Sequence, residues 1–247
     1  MPSNDPDIAQ FREFLKDEKG EWWSDAEVAM GNYLGNFSDS NISIYFKNIR
    51  DFKLRLYEYL EYENLRYYII DEKKIETEFK KFILHSDEDV MLRKSNLHLG
   101  ANRKHNHLYV NFITFNYTNA LDLILDVVQK QNKILEINNS YESRVGKVYH
   151  VHGTLDSSLI MGVDNYAQLD TTNISDQEKL QRTLIKPIVN DELGRDEHTN
   201  AIKLIQSSNY LVFYGLSFGI TDMTWWESVR EKLIADINCQ VILFTRS

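Results

Sequence analysis

Three short polar segments carry the residue types that could do chemistry, and each follows a predicted strand. They are FNYT (Phe115–Thr118), HVHG (His150–Gly153) and YGLS (Tyr214–Ser217), the last with Asp222 shortly beyond it. Amide and hydroxyl groups can bind ribose, glycine N–H groups can approach phosphate, and an imidazole can move a proton near neutral pH. The segments therefore predict a nucleotide or sugar site. Its candidate residues are Asn116, Thr118, His152, Gly153, Gly215, Ser217 and Asp222.

Each segment also has a simpler interpretation. Asn116 or Thr118 could cap the helix that follows, and Gly153 and Gly215 could serve only to permit a left-handed backbone. His150 and His152 alternate along a predicted strand, so their side chains would share one face and could bind a metal together. Because no third ligand has a convincing spacing, we expect no metal site. We interpret His152 as a strand-end acid or base, or as a core histidine.

The elements that must position these segments change in character near residue 109. Before it, apolar residues recur every three or four positions, as from Ile42 to Tyr59, which predicts helices. After it, short β-rich runs alternate with helical patterns, which predicts an α/β fold with a parallel sheet covered on both faces. We expect a helical region over residues 1–108 and a sheet-containing core over residues 109–247. A ligand would bind where the strands end.

Composition and charge exclude several classes of protein. The chain has 247 residues, 43% hydrophobic and 26% charged, as in ordinary globular proteins. Its net charge of −9 argues against a broad basic face for nucleic acid. The single cysteine, Cys239, lies in an apolar run, is predicted to be buried, and excludes an intrachain disulfide. No signal-peptide pattern and no membrane-length apolar run is present, so we expect a soluble cytoplasmic protein without membrane partners.

Taken in order, the motifs resemble the bacteriophage abortive-infection family AbiH, of the wider sirtuin-like NAD-binding group. The resemblance rests on FNYTN, VHG, GVD and NYLVFYGLSFGITDMTWW within residues 109–247, with a fainter similarity in GEWWSDAEVAMGNYLGNF. It implies a Rossmann-like, sirtuin-like sheet in which Asn116 and His152 flank the nicotinamide ribose of NAD. By the same resemblance Thr118, Gly153, Gly215 and Ser217 contact the nucleotide, and Asp222 shapes the last loop. A phage-derived trigger and a second copy of the chain are the other partners that it leaves open.

The chain also departs from the family pattern. The opening apolar strand and Gly-Asn-Gly-Phe-Asp turn of AbiH-like proteins are missing, and the sequence stops soon after its last predicted strand, so we expect a shortened core. The four-cysteine zinc module of sirtuin deacylases is missing too, which argues against protein deacetylation.

Three functions are consistent with these observations. The first is an NAD glycohydrolase used in phage defence, in which Asn116 holds water or a ribose hydroxyl and His152 accepts a proton. The second is a nucleotide-sensing or protein-binding remnant without turnover, which the missing glycine turn favours. The third is an interaction protein whose contact surface is the tyrosine-rich helix with Tyr57, Tyr59 and Tyr62.

Overall fold

The chain forms two structural units, each with its own sheet. The computed structural model describes residues 6–18, 23–66, 73–74, 77, 79, 107–129, 134–137, 142–216 and 218–244. Unit 1 contains residues 1–58, 151–153 and 157–247, and unit 2 contains residues 59–150 and 154–156.

The described chain is helical up to Arg66, and all its strands lie from His107 onward, with helices between them. The helices are α1 (Pro6–Glu18), α2 (Trp23–Tyr33), α3 (Ile42–Arg66), α4 (Ala120–Gln129), α5 (Gln177–Leu184), α6 (Lys186–Glu192), α7 (Glu197–Ser207) and α8 (Met223–Ala235). The strands are β1 (His107–Thr114), β2 (Ile134–Ile137), β3 (Glu142–His150), β4 (Tyr210–Tyr214) and β5 (Gln240–Phe244). Short 3-10 helices cover Leu34–Asn36, Tyr166–Gln168 and Ile220–Asp222.

The predicted helical face of α3 packs into the core of unit 1. Tyr45 is completely buried and its hydroxyl donates to the backbone oxygen of Met30 in α2. Ile49 lies in the same core, with Phe52 and Leu56 packed against it. The spacing by three and four residues therefore predicted the buried face of α3 correctly as far as Leu56. Farther along α3, Tyr59 and Tyr62 are 60% and 64% exposed.

In unit 1, β4 and β5 form a parallel pair joined by α8. Tyr210 lies opposite Gln240, and the register continues without a shift to Tyr214 and Phe244. This strand–helix–strand unit fits the alternation of β-rich runs and helical patterns that the sequence predicts after residue 109. The predicted burial of Cys239 is confirmed.

In unit 2, β3 is the central strand of a mixed sheet. It pairs in parallel with β1, so that Thr114 lies opposite His150, and antiparallel with β2. Leu125 and Val128 of α4 pack against Val145 of β3, with Phe112 of β1 beside them. The apolar face of α4 thus covers the sheet, as helices do in α/β proteins.

The mixed α/β class is confirmed, but several details of the prediction are wrong. The described strands form two sheets instead of one, and β2 is antiparallel. Of the two interpretations that the run SLIMGVD allows, a strand or an extended turn, the strand is wrong, since the run forms only an isolated bridge between Val163 and Ile185. Strand β3 ends at His150, so His152 lies in a turn and the two imidazoles do not alternate along one strand.

Two predictions about organisation are not tested. The Rossmann-like, sirtuin-like topology stays a prediction. So does the boundary at residue 108, because residues 80–106 lie outside the described part of the chain. Among the described helices, none combines the length and the apolar character needed to cross a membrane.

Candidate functional site

A buried lysine in unit 1 contacts two carboxylates at once. The ammonium nitrogen of Lys186 lies 2.9 Å from Oε2 of Glu27 and 2.8 Å from Oδ1 of Asp222. Lys186 is 3% exposed and Glu27 is 1% exposed, so these charges are almost completely removed from water. Charges at such depth persist only when they are paired and hydrogen-bonded. This group therefore marks a place where the chain keeps charge inside unit 1.

Local backbone contacts fix the lysine. Lys186 is the first residue of α6, with Pro187 behind it at a position that helix starts favour. Its backbone N–H donates to the oxygen of Val163 over 2.9 Å. The neighbouring Gly162 donates its N–H to Oε1 of Glu27 over 3.2 Å. The segment from Gly162 to Val163 thus holds both the lysine and its partner in α2.

The imidazole of His152 joins the same group. Its Nε2 lies 3.1 Å from Oδ1 of Asp222, the oxygen that also contacts Lys186. The turn around His152 is held on both sides: Asn190 donates to the oxygen of Val151, and Ile160 donates to the oxygen of His152. His152 is 6% exposed. We call Glu27, Lys186, Asp222 and His152 the charged cluster.

Burial and charge act in opposite directions on Asp222. Burial by itself raises the pKa of this carboxyl, but the hydrogen bond from His152 and the charge of Lys186 outweigh it and hold the pKa at about 2. Burial likewise lowers the pKa of Lys186, while Glu27 and Asp222 together raise it above its ordinary value. Asp222 and Lys186 are therefore both ionised at neutral pH.

A second carboxylate and a second imidazole lie near the charged cluster. Asp164 accepts from the backbone N–H and the hydroxyl of Thr224 in α8, at 3.0 and 2.9 Å. Burial raises the pKa of Asp164. His198 of α7 packs on Trp225, with ring centroids 4.7 Å apart, and burial lowers its pKa. Electrostatic interaction with Asp164 raises the pKa of His198, and interaction with His152 lowers it.

Chemically, an imidazole beside an ionised carboxylate is a proton-transfer pair. The carboxylate orients the ring and stabilises the imidazolium that forms when the ring accepts a proton. Nε2 is the ring nitrogen of His152 that faces Asp222, so Nδ1 is the nitrogen on the other side of the ring. Among the described residues, no group of three His, Cys, Asp or Glu side chains is placed to hold a metal ion.

Unit 2 has its own polar strand ends. Nε2 of His150 lies 2.8 Å from Oδ2 of Asp122, in the first turn of α4. Asn116 is exposed, and its backbone N–H donates to the hydroxyl of Thr114, opposite His150. The position before α4 is occupied by Asn119, whose amide contacts Asp156. Capping of α4 by Asn116 or Thr118, an alternative interpretation above, is therefore wrong.

The predicted site residues are divided between the units. His152 and Asp222 are in contact, and Gly153 and Gly215 lie in the same unit, whereas Asn116 and Thr118 belong to unit 2. Ser217 lies outside the described residues. Gly153 and Gly215 have φ of 79° and 66°, so a left-handed backbone accounts for glycine at both positions.

Sequence reasoning missed two members of the charged cluster. Glu27 lies within the segment whose similarity to the family is faint, and nothing in its spacing marks it as buried. Lys186 precedes a proline, which signals a helix start but not an ion pair. Contacts between residues so distant in the sequence leave no local pattern, so a single sequence could not reveal them.

Comparison with known proteins gives one match. The family model described as "Bacteriophage abortive infection AbiH" matches residues 4–243. Neither the curated proteins nor the solved structures include a significant match to this sequence.

Proposed function

Since this chain belongs to the bacteriophage abortive infection family AbiH, we propose that it acts in phage defence by hydrolysing NAD to ADP-ribose and nicotinamide. The family gives the abortive-infection role. The NAD chemistry rests on one observation above all, the contact between His152 and the ionised Asp222. A buried acid–base pair at a motif shared with an NAD-binding group supports proton transfer as the task of this cluster.

Hydrolysis of NAD requires that NAD and a water molecule are positioned and that one group accepts a proton. The bond between C1′ of the ribose and the pyridinium nitrogen breaks, and nicotinamide leaves as a neutral molecule with the bonding electron pair. Water adds to the oxocarbenium-like C1′, and its proton passes to a base. His152 is that base in our proposal, through Nδ1, and Asp222 stabilises the imidazolium until the proton is released.

The remaining site residues have their roles from the family resemblance. We assign to Asn116 the binding of the attacking water or a ribose hydroxyl. Thr118, Gly153, Gly215 and Ser217 are proposed as nucleotide contacts, and NAD is proposed as the substrate.

A second candidate is a nucleotide sensor without turnover, and the burial of His152 favours it. A base that accepts a proton from water must meet that water, yet this side chain is 6% exposed. The four-residue charged cluster would then serve to tie α2, α6 and the 3-10 helix Ile220–Asp222 together. Such a protein would bind NAD or ADP-ribose and release no product.

Nicotinamide release from NAD by the purified chain separates these candidates. A general base contributes about 100-fold to 10,000-fold, so His152→Ala should lower kcat at least about 100-fold. Asn116→Ala should lower it as well, while Asn238→Ala, at an exposed asparagine, should behave as wild type. Calorimetry with NAD completes the experiment. Binding without nicotinamide release would favour the sensor, and turnover that survives both site substitutions would remove Asn116 and His152 from the mechanism.

A further inference from the structure

The charge of Lys186 has a consequence for His152 that the contact with Asp222 alone would not produce. A carboxylate buried beside an imidazole strongly favours the imidazolium, because the opposite charges attract at low dielectric. An imidazole that is protonated at rest cannot accept a proton from water. A second cation on the same carboxylate weakens that preference for the imidazolium.

Lys186 is placed to supply that cation. Its ammonium lies 2.8 Å from Oδ1 of Asp222, and His152 Nε2 lies 3.1 Å from the same oxygen. The ammonium of Lys186 and the imidazole of His152 thus contact the same carboxylate oxygen. Glu27 contacts the lysine at 2.9 Å and balances its charge. Among the described residues, Asp164 and His198 also interact electrostatically with members of this cluster, and the cation of Lys53 interacts with Glu27.

We propose that Lys186 is a positioning residue for the proposed NAD hydrolysis, which offsets part of the charge of Asp222 and so weakens the pull of that carboxylate on a proton of His152. This inference rests on the proposed function for its catalytic meaning. The lysine touches no reacting atom. It acts through Asp222, and Glu27 holds it in place.

The test compares three variants by NMR of the histidine side chains and by activity. In Lys186→Met the cation is lost with little change in volume, so the imidazole signals of His152 should titrate at higher pH than in wild type, by about one unit. Lys186→Arg keeps the charge and should restore the wild-type titration. If Lys186→Met fails to fold, the double variant Glu27→Gln/Lys186→Met removes both buried charges together. The His152 signals should again titrate at higher pH than in wild type, because Lys186 is the residue whose charge contacts Asp222.

The rate of nicotinamide release gives the second readout. A base works only when deprotonated, so the pH at which the rate rises should move upward in Lys186→Met together with the NMR titration. A purely structural lysine would lower stability and leave both midpoints unchanged, and that result would overturn the inference. If the wild-type chain hydrolyses no NAD, the proposed function fails, while the His152 titration still decides the role of Lys186.

Discussion

At the scale of single residues, one buried lysine contacts the carboxylates of both Glu27 and Asp222. Removing one partner of such a group leaves an uncompensated buried charge, which typically costs about 3–5 kcal/mol.

Only two of the four residues of the charged cluster could be predicted from the sequence. His152 and Asp222 lie in motifs, whereas Glu27 and Lys186 are recognisable only once α2 and α6 are brought together.

Asp222 should make the free energy of unfolding depend on pH in the acid range. Its pKa falls from 3.8 in the unfolded chain to about 2 in the folded one, so it stabilises the fold above pH 4 and loses this effect as the pH falls toward 2. The difference corresponds to about 2 kcal/mol. Urea unfolding should show that Asp222→Asn is destabilised relative to wild type at pH 6 and that the gap narrows toward pH 2.

The exposed Asp191 provides the control for this experiment. Asp191→Asn should change the free energy of unfolding by less than about 0.5 kcal/mol. A gap between wild type and Asp222→Asn that stays constant from pH 6 to pH 2 would show that Asp222 is not held ionised by its neighbours.

At the scale of elements, α2 contacts the 3-10 helix Tyr166–Gln168 at a glycine. A Cβ on Gly31 would lie 2.1 Å from the backbone oxygen of Gln168, and the oxygen of Gly31 itself accepts from Asp170. Alanine normally stabilises a helix by about 0.5–1 kcal/mol relative to glycine. In Gly31→Ala the added Cβ would clash with a backbone atom, and such overpacking typically costs about 1–3 kcal/mol. We therefore expect the clash to outweigh the gain in helix propensity.

Thermal and urea unfolding of Gly31→Ala test this contact. We expect a net loss of stability, in contrast to the gain that helix propensity alone would give. Gly194→Ala is a useful comparison, since no atom lies within 4 Å of its added Cβ and only its φ of 64° opposes the change. Its cost should be about 1 kcal/mol. Stabilisation by Gly31→Ala would contradict the packing of α2 described here.

The elements themselves were largely predictable, and their pairing was not. Spacing located the buried face of α3 as far as Leu56, and the change of pattern near residue 109 indicated strands alternating with helices, because such periods are local properties of the chain. Strand β2 is only four residues long and was not identified. The division into two sheets depends on which strands meet in space, and alternating patterns carry no information about that.

At the scale of the whole molecule, membership of the AbiH family sets the biological role, and the charged cluster suggests the chemistry. Exposed Tyr59 and Tyr62 are compatible with the interaction surface considered from the sequence. NAD hydrolysis makes the stronger proposal because it assigns a task to His152 and Asp222.

The level of NAD in phage-infected bacteria tests the central claim most directly. Cells that produce the wild-type chain should lose NAD after infection and before lysis, whereas cells that produce His152→Ala at the same level should keep both their NAD and their sensitivity to phage. Asn238→Ala should behave as wild type. Protection from phage with an unchanged NAD level, or an equal fall of NAD with His152→Ala, would contradict the account.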